Sequence, residues 1–124
     1  MKLSTKSILF TGLVALSVSA LADDPIVGVW QTYEDGQAKA QVQISQSESD
    51  NTFTGKIIEG NTEKAKKYEG EIVLKNLTAQ GDGKYKGKAK DPRWPFSVSA
   101  KIKVNGKDLT ISTLKGDQNW KKIK

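Results

Sequence analysis

From Ile26 onward apolar residues recur at every second position, and glycine or asparagine interrupts them every roughly eight to twelve residues. Successive side chains of a strand point to opposite faces, so this period predicts an antiparallel all-β domain with one buried and one wet face to each strand. The plainest stretch alternates Phe96, Val98, Ala100, Ile102 and Val104 with Ser97, Ser99, Lys101 and Lys103. Asn105-Gly106 follows, and both residues tolerate the positive φ of a two-residue type I′ turn. Such a turn would set Ile102 opposite Leu109, Ala100 opposite Ile111, and Lys103 across from Asp108 as a solvent-side charge pair.

The same reading places strands near Ile26–Thr32, Ala38–Gln46, Thr52–Glu59, Glu71–Leu77, Lys84–Lys90, Phe96–Val104, Asp108–Leu114 and Asn119–Ile123. In the first hairpin a strict two-residue loop at Asp35-Gly36 would leave Trp30 beside Gln41. A three-residue loop with a glycine bulge pairs Trp30 with Val42 and buries the indole, and is the expected arrangement. Lysine-rich Gly60–Gly70 reads as an exposed loop with room for one helical turn. Consecutive strands with short connections predict a small eight-stranded antiparallel up-and-down barrel, lipocalin-like, which leaves no sheet edge free; an open sandwich is the alternative. The expected interior positions are Ile26, Gly28, Trp30, Val42, Ile44, Phe53, Gly55, Ile57, Tyr85, Gly87, Phe96, Val98, Ile102, Leu109 and Ile111. Glycines 28, 55 and 87 would permit the bends of closure. Strands this short leave no room for a large lipid pocket.

Ahead of the domain, Lys2 and Lys6 precede an uncharged run from Ser7 to Ala22, ending in Ala20-Leu21-Ala22 before Asp23-Asp24-Pro25. That is the pattern of a secretory signal peptide over residues 1–22. As a helix the run would rise about 24 Å, short of the roughly 30 Å hydrocarbon core, so no transmembrane span is expected. Cleavage after Ala22 would leave residues 23–124. The 20 Lys and Arg of the 124-residue chain would fall to 18 with the loss of Lys2 and Lys6, against 14 Asp and Glu, a net charge of +4. The chain has neither cysteine nor histidine. Disulfides, thiol nucleophiles, the usual zinc sites and the commonest general base are thereby excluded. The leader points to the periplasm, with the extracellular medium as the other destination, and the exported domain must stand on its core alone.

Little remains for catalysis. Most carboxylates fall in turns, among them Glu34, Asp35, Glu48, Asp50, Asp82, Asp91 and Asp117, and no pattern brings a pair onto an apolar face as a glycosidase needs. Ser112-Thr113-Leu114-Lys115 has Ser-x-x-Lys spacing, but residues three apart on a strand point to opposite faces. Glu48-Ser49-Asp50-Asn51 lacks the spacing and central glycine of a calcium loop, and no phosphate loop occurs. No catalytic residue, metal, cofactor or nucleic-acid partner is expected.

The series Gly28-Val29-Trp30, Asp35-Gly36 with its alternating strand to Ile44, Gly55-Lys56-Ile57, Gly87-Lys88 with Asp91-Pro92, and Trp120 with Lys122 resembles a secreted bacterial family, domain of unknown function 2147. The likeness spans Pro25 to Lys124 and implies a lipocalin-like barrel in the cell envelope and no assigned activity. Arg93-Trp94-Pro95-Phe96 stands where the family usually has an acidic, glycine-containing turn and a tyrosine, and Lys122 replaces a terminal arginine. Gly28-x-Trp30 also resembles the opening motif of lipocalins, whose tryptophan closes one barrel end beneath a basic residue. Trp30, Tyr85, Arg93, Trp94, Trp120 and Lys122 are therefore the candidate ligand-binding residues. Lys84, Lys86, Lys88 and Lys90 would project from one face of one strand and Lys101 and Lys103 from the next, a candidate anion-binding surface or a solubilising face. The expected function is a noncatalytic envelope protein that binds a small ligand or an anionic envelope component. The alternative is a periplasmic protein-interaction module, an accessory or an inhibitor.

Overall fold

The computed structural model describes residues 24–124; the leader expected over residues 1–22 lies outside them. The period-two segments form eight strands: β1 (Gly28–Glu34), β2 (Gln37–Gln46), β3 (Phe53–Gly60), β4 (Ile72–Gly81), β5 (Lys84–Ala89), β6 (Val98–Asn105), β7 (Asp108–Thr113) and β8 (Gly116–Lys122). One short helix, α1 (Glu63–Lys66), interrupts them between β3 and β4. Each strand pairs antiparallel with the next, and β8 returns to β1 to close the barrel. No helix among the described residues is long and apolar enough to cross a membrane.

Two turns differ from expectation. Trp30 does pair with Val42, but through a two-residue turn. Asp35 and Gly36 lie at φ 53° and 80°, the two positive values of a type I′ turn, and the extra residue sits later, where Thr32 pairs with Ala40 and Tyr33 with Ala38. Lys39 is thus the bulged residue. In the β6–β7 hairpin the turn is Gly106-Lys107, with Gly106 alone at positive φ (64°), so Ile102 faces Ile111, Val104 faces Leu109 and Lys103 faces Thr110. The expected register would have put Lys107 opposite inward-facing Val104; the observed one pairs Val104 with leucine. Asp108, released from Lys103, forms an ion pair with Lys121 on β8.

The interior holds Ile26, Trp30, Val42, Ile44, Phe53, Ile57, Tyr85, Ile102, Leu109 and Ile111 as expected, together with Ala40, Leu74, Leu77, Ala89, Ala100, Val104 and Trp120. Gly55 is buried, while Gly28, Gly87 and Val98 are half-buried. Phe96 is a correction: it is 58% exposed, because β6 begins only at Val98 and residues 91–96 form a turn-rich loop.

The two ends of the barrel are built differently. At the end where β1 starts, residues 24–27 cross beneath the strands and fill the opening. The Trp30 indole is fully buried and its Nε1–H donates to the Ile26 carbonyl at 2.9 Å. Tyr85 meets Phe53 edge-on at 5.6 Å and donates its hydroxyl proton to the Asp24 carboxylate. Burial and that carboxylate push the Tyr85 phenol above its ordinary value. Lys122 Nζ lies 5.6 Å from the Trp30 ring centroid and donates to the Pro25 carbonyl at 3.3 Å. Gly28, at φ +146°, lets the chain end pass close by: a Cβ there would lie 2.6 Å from the Lys124 carbonyl oxygen. The opposite end, where β1 and β2 turn, stays open.

Candidate functional site

The open end leads into a cavity of about 330 Å³. Its deep wall is apolar, formed by Val42, Ile57, Leu74, Ala89, Ile111 and Trp120. Each comes from the inward row of a different strand, so the chamber follows from the same period-two pattern that builds the core. It survives as a void because Ala40 and Ala89 occupy inward positions where longer side chains would reach across.

The β1–β2 turn, α1, residues 90–97 and the β7–β8 turn surround the mouth. Two local sequence features shape it. Asp91-Pro92 begins a β-turn in which the Trp94 N–H donates to the Asp91 carbonyl at 2.8 Å and the Arg93 N–H to Asp91 Oδ1 at 2.9 Å. Thr62 caps α1 by accepting from the Ala65 N–H at 3.0 Å. The helix rests directly on Gly60, where a Cβ would come within 2.5 Å of the Ala65 carbonyl carbon. Buried Gln31 ties this excursion to the barrel, donating from Nε2 to the Ala40 carbonyl at 2.9 Å and to Asn61 Oδ1 at 2.7 Å.

Four charged side chains join across the rim. Lys39 Nζ is 2.8 Å from Glu34 and 3.5 Å from Asp91; Arg93 Nη2 is 3.0 Å from Glu34 and 2.7 Å from Asp91. The Lys39 bulge puts its ammonium group within reach of both carboxylates. Hydrogen bonds from the Arg93 side chain hold the Asp91 carboxyl well below the usual carboxylate range, and Lys39 and then Arg93 lower that of Glu34. Asp91 is the less exposed of the two carboxylates, its side chain only 10% exposed, so its protonation would remove the better-shielded half of the latch. Among the described residues no group of three or more acidic side chains gathers as metal ligands.

Because both carboxyls are depressed in the folded state, their contribution to stability is complete above their unfolded values near 4 and is lost as pH falls through the folded ones. The expected result is a urea midpoint that drops below pH 4, with Asp91→Asn showing a lower midpoint at pH 7 and a shallower acid decline. Neutralising one partner of this hydrogen-bonded network should cost about 1–3 kcal/mol at pH 7. Identical pH profiles for the variant and the unaltered protein would exclude the latch as the acid-sensitive element.

The candidate ligand-binding residues divide between the two ends. Arg93, Trp94 and Trp120 line the cavity, and Trp120 donates from Nε1 to Gln118 Oε1 at 3.0 Å. Trp30, Tyr85 and Lys122 belong to the plugged end and do not reach it. Of the candidate anion-binding lysines, Lys84, Lys86, Lys88, Lys101 and Lys103 are exposed on the outer wall, whereas Lys90 is half-buried and lines the mouth. Sequence reading did not single out Glu34, Lys39 and Asp91 as a cluster: Lys39 and Asp91 stand 52 residues apart, and Arg93 and Glu34 stand 59 apart. The Asp-Pro turn was a visible signal for one part of it. Comparison with protein-family models, curated proteins and solved structures found no significant match to this chain.

Proposed function

We propose that the protein is a noncatalytic binding protein of the cell envelope whose barrel takes a small amphipathic ligand through its open end. The observation that carries this reading is the cavity of about 330 Å³, apolar in its depth and charged at its mouth, above a plugged floor. That volume lies at the small end of the range for ligand sites, which suits one aromatic ring system or a medium acyl chain and not a full lipid. The mouth favours an anionic headgroup. Lys39 and Arg93 already face carboxylates, but Lys90, which also lines the mouth, has no ion-pair partner among the described residues. Lys90 would hold the ligand's polar end while the Trp120 indole packs against its apolar body. The leader pattern supports export, and the motif series supports membership of domain of unknown function 2147.

The test uses octanoate and anilinonaphthalene sulfonate as probes, read by Trp120 and Trp94 fluorescence. Ala89→Leu adds branched bulk to the chamber wall at a position facing the void. The expected outcome is saturable binding by the unaltered protein and at least a tenfold weaker affinity in Ala89→Leu, with thermal stability retained because the new side chain fills empty space. Equal affinity in the two proteins would mean that the probes bind elsewhere and would remove the chamber as the ligand site.

A further inference from the structure

The outer wall opposite the β1–β8 seam carries lysine at successive outward positions. Lys84 pairs with Lys103 and Lys86 with Lys101 across β5 and β6, and Lys88 pairs with Lys75 across β4 and β5. All six side chains are exposed, and among the described residues none takes part in an ion pair. Like charges set directly across a ladder repel, so the wall carries an electrostatic cost in the free protein that a facing anionic surface would remove. Lys86, Lys88 and Lys101 line a shallow groove with the Ser99 and Ser112 residues between them, and Lys88 Nζ donates to Ser99 Oγ at 3.3 Å.

At the upper edge of that groove stands Leu114, 99% exposed at the β7–β8 turn. Its neighbour Lys115 places Nζ 5.4 Å from the Trp94 ring and 5.8 Å from the Phe96 ring, so the turn and the 90–97 loop form one apolar tip beside the lysine wall. Exposed aliphatic and aromatic side chains next to a basic face are the composition of a surface that lies in a membrane interface. We infer that this flank docks the barrel on an anionic phospholipid bilayer, with the lysines over the headgroup phosphates and Leu114 and Phe96 among the upper acyl segments. The leucine separates this partner from a soluble polyanion or a nucleic acid, against which a fully exposed aliphatic side chain has nothing to contact. The same two loops border the cavity mouth, so a docked barrel would open at the bilayer surface; that clause alone rests on the proposed ligand site.

The experiment is co-sedimentation of the protein with phosphatidylcholine vesicles containing roughly a quarter phosphatidylglycerol. At low salt, where charges act over about 30 Å, the protein should pellet with these vesicles and stay in solution with phosphatidylcholine alone. A variant carrying Lys84→Gln, Lys86→Gln, Lys88→Gln and Lys101→Gln should partition about a thousandfold less. Leu114→Ser with Phe96→Ser should lose about tenfold and the Trp94 emission shift on binding, yet keep the salt dependence. All of these positions are exposed, so circular dichroism should show unchanged folds. Failure to pellet at low salt, equal pelleting by the lysine variant, or retention that ignores salt would overturn the docking. Full displacement by inorganic phosphate at matched ionic strength, with no effect of the Leu114 and Phe96 changes, would also overturn it in favour of a soluble-anion site. Ala89→Leu separates the two readings: it should pellet normally even where octanoate binding is lost.

Discussion

Trp30→Ala should destabilise the barrel by about 3–5 kcal/mol, the largest loss expected from any single side chain. The indole is fully buried at the closed end, where it meets three separate parts of the chain. Its ring faces Val42 across β1 and β2, its Nε1–H holds the Ile26 carbonyl, and Lys122 lies over its face. Alanine there would empty the floor, free the 24–27 crossing and leave the Ile26 carbonyl without its donor. Unfolding in urea measures the loss directly. If the alanine variant fails to fold, Trp30→Phe keeps most of the apolar contact and gives up the hydrogen bond, for an expected cost of about 1–2 kcal/mol. A phenylalanine variant as stable as the unaltered protein would show that the indole N–H contributes nothing to the floor. A small loss for alanine would take Trp30 out of the core altogether.

Gly28→Ala should cost about 2–4 kcal/mol through two separate effects. A residue with a side chain is strained at φ +146°, and its Cβ would collide with the Lys124 carbonyl and with Lys122 Cε, 2.6 and 2.7 Å away. Gly36→Ala supplies a milder comparison, since Gly36 lies at φ +80° and has nothing within 4 Å of the added atom. The excess of the first variant over the second reports the close approach of the chain end together with the greater strain at φ +146°. Equal losses would mean that the wider φ at Gly28 adds no cost and that the C-terminal residues yield freely.

Barrel closure and the pairing of Trp30 with Val42 were legible because both depend on face parity, which a period-two sequence states directly. The details that parity leaves open were not. In the β6–β7 hairpin Asn105-Gly106 and Gly106-Lys107 both supply glycine for a tight turn and both keep Ile102 inside. The choice falls to cross-strand packing, which prefers Leu109 to Lys107 beside Val104. Phe96 continues the alternation of β6 on paper, yet the turn begun by Asp91-Pro92 and the nearby Pro95 delay the strand until Val98. Trp94, Trp120 and Arg93 were candidates as isolated aromatic and basic residues, and barrel geometry gathers them at one mouth. Glu34 and Asp91 looked like ordinary turn carboxylates. Their partnership depends on a bulge at Lys39 that moves one ammonium group sideways between loops distant in sequence.

The seam between β1 and β8 has only two paired positions in its ladder, Trp30 with Lys122 and Gln31 with Lys121, extended by Val29 bonding to Ile123 and Lys124. Any process that delivers this chain from its N-terminus, whether synthesis or export, therefore holds β1 as a bare edge while six further strands pair in order. During that interval the barrel is an open, curling sheet whose unpaired Gly28–Glu34 backbone can recruit a strand from another molecule. Arrival of β8 ends the exposure, and the lysines at 121 and 122 reach the edge together with the backbone that covers it. A chain cut before Gly116 lacks β8 and would keep that edge uncovered.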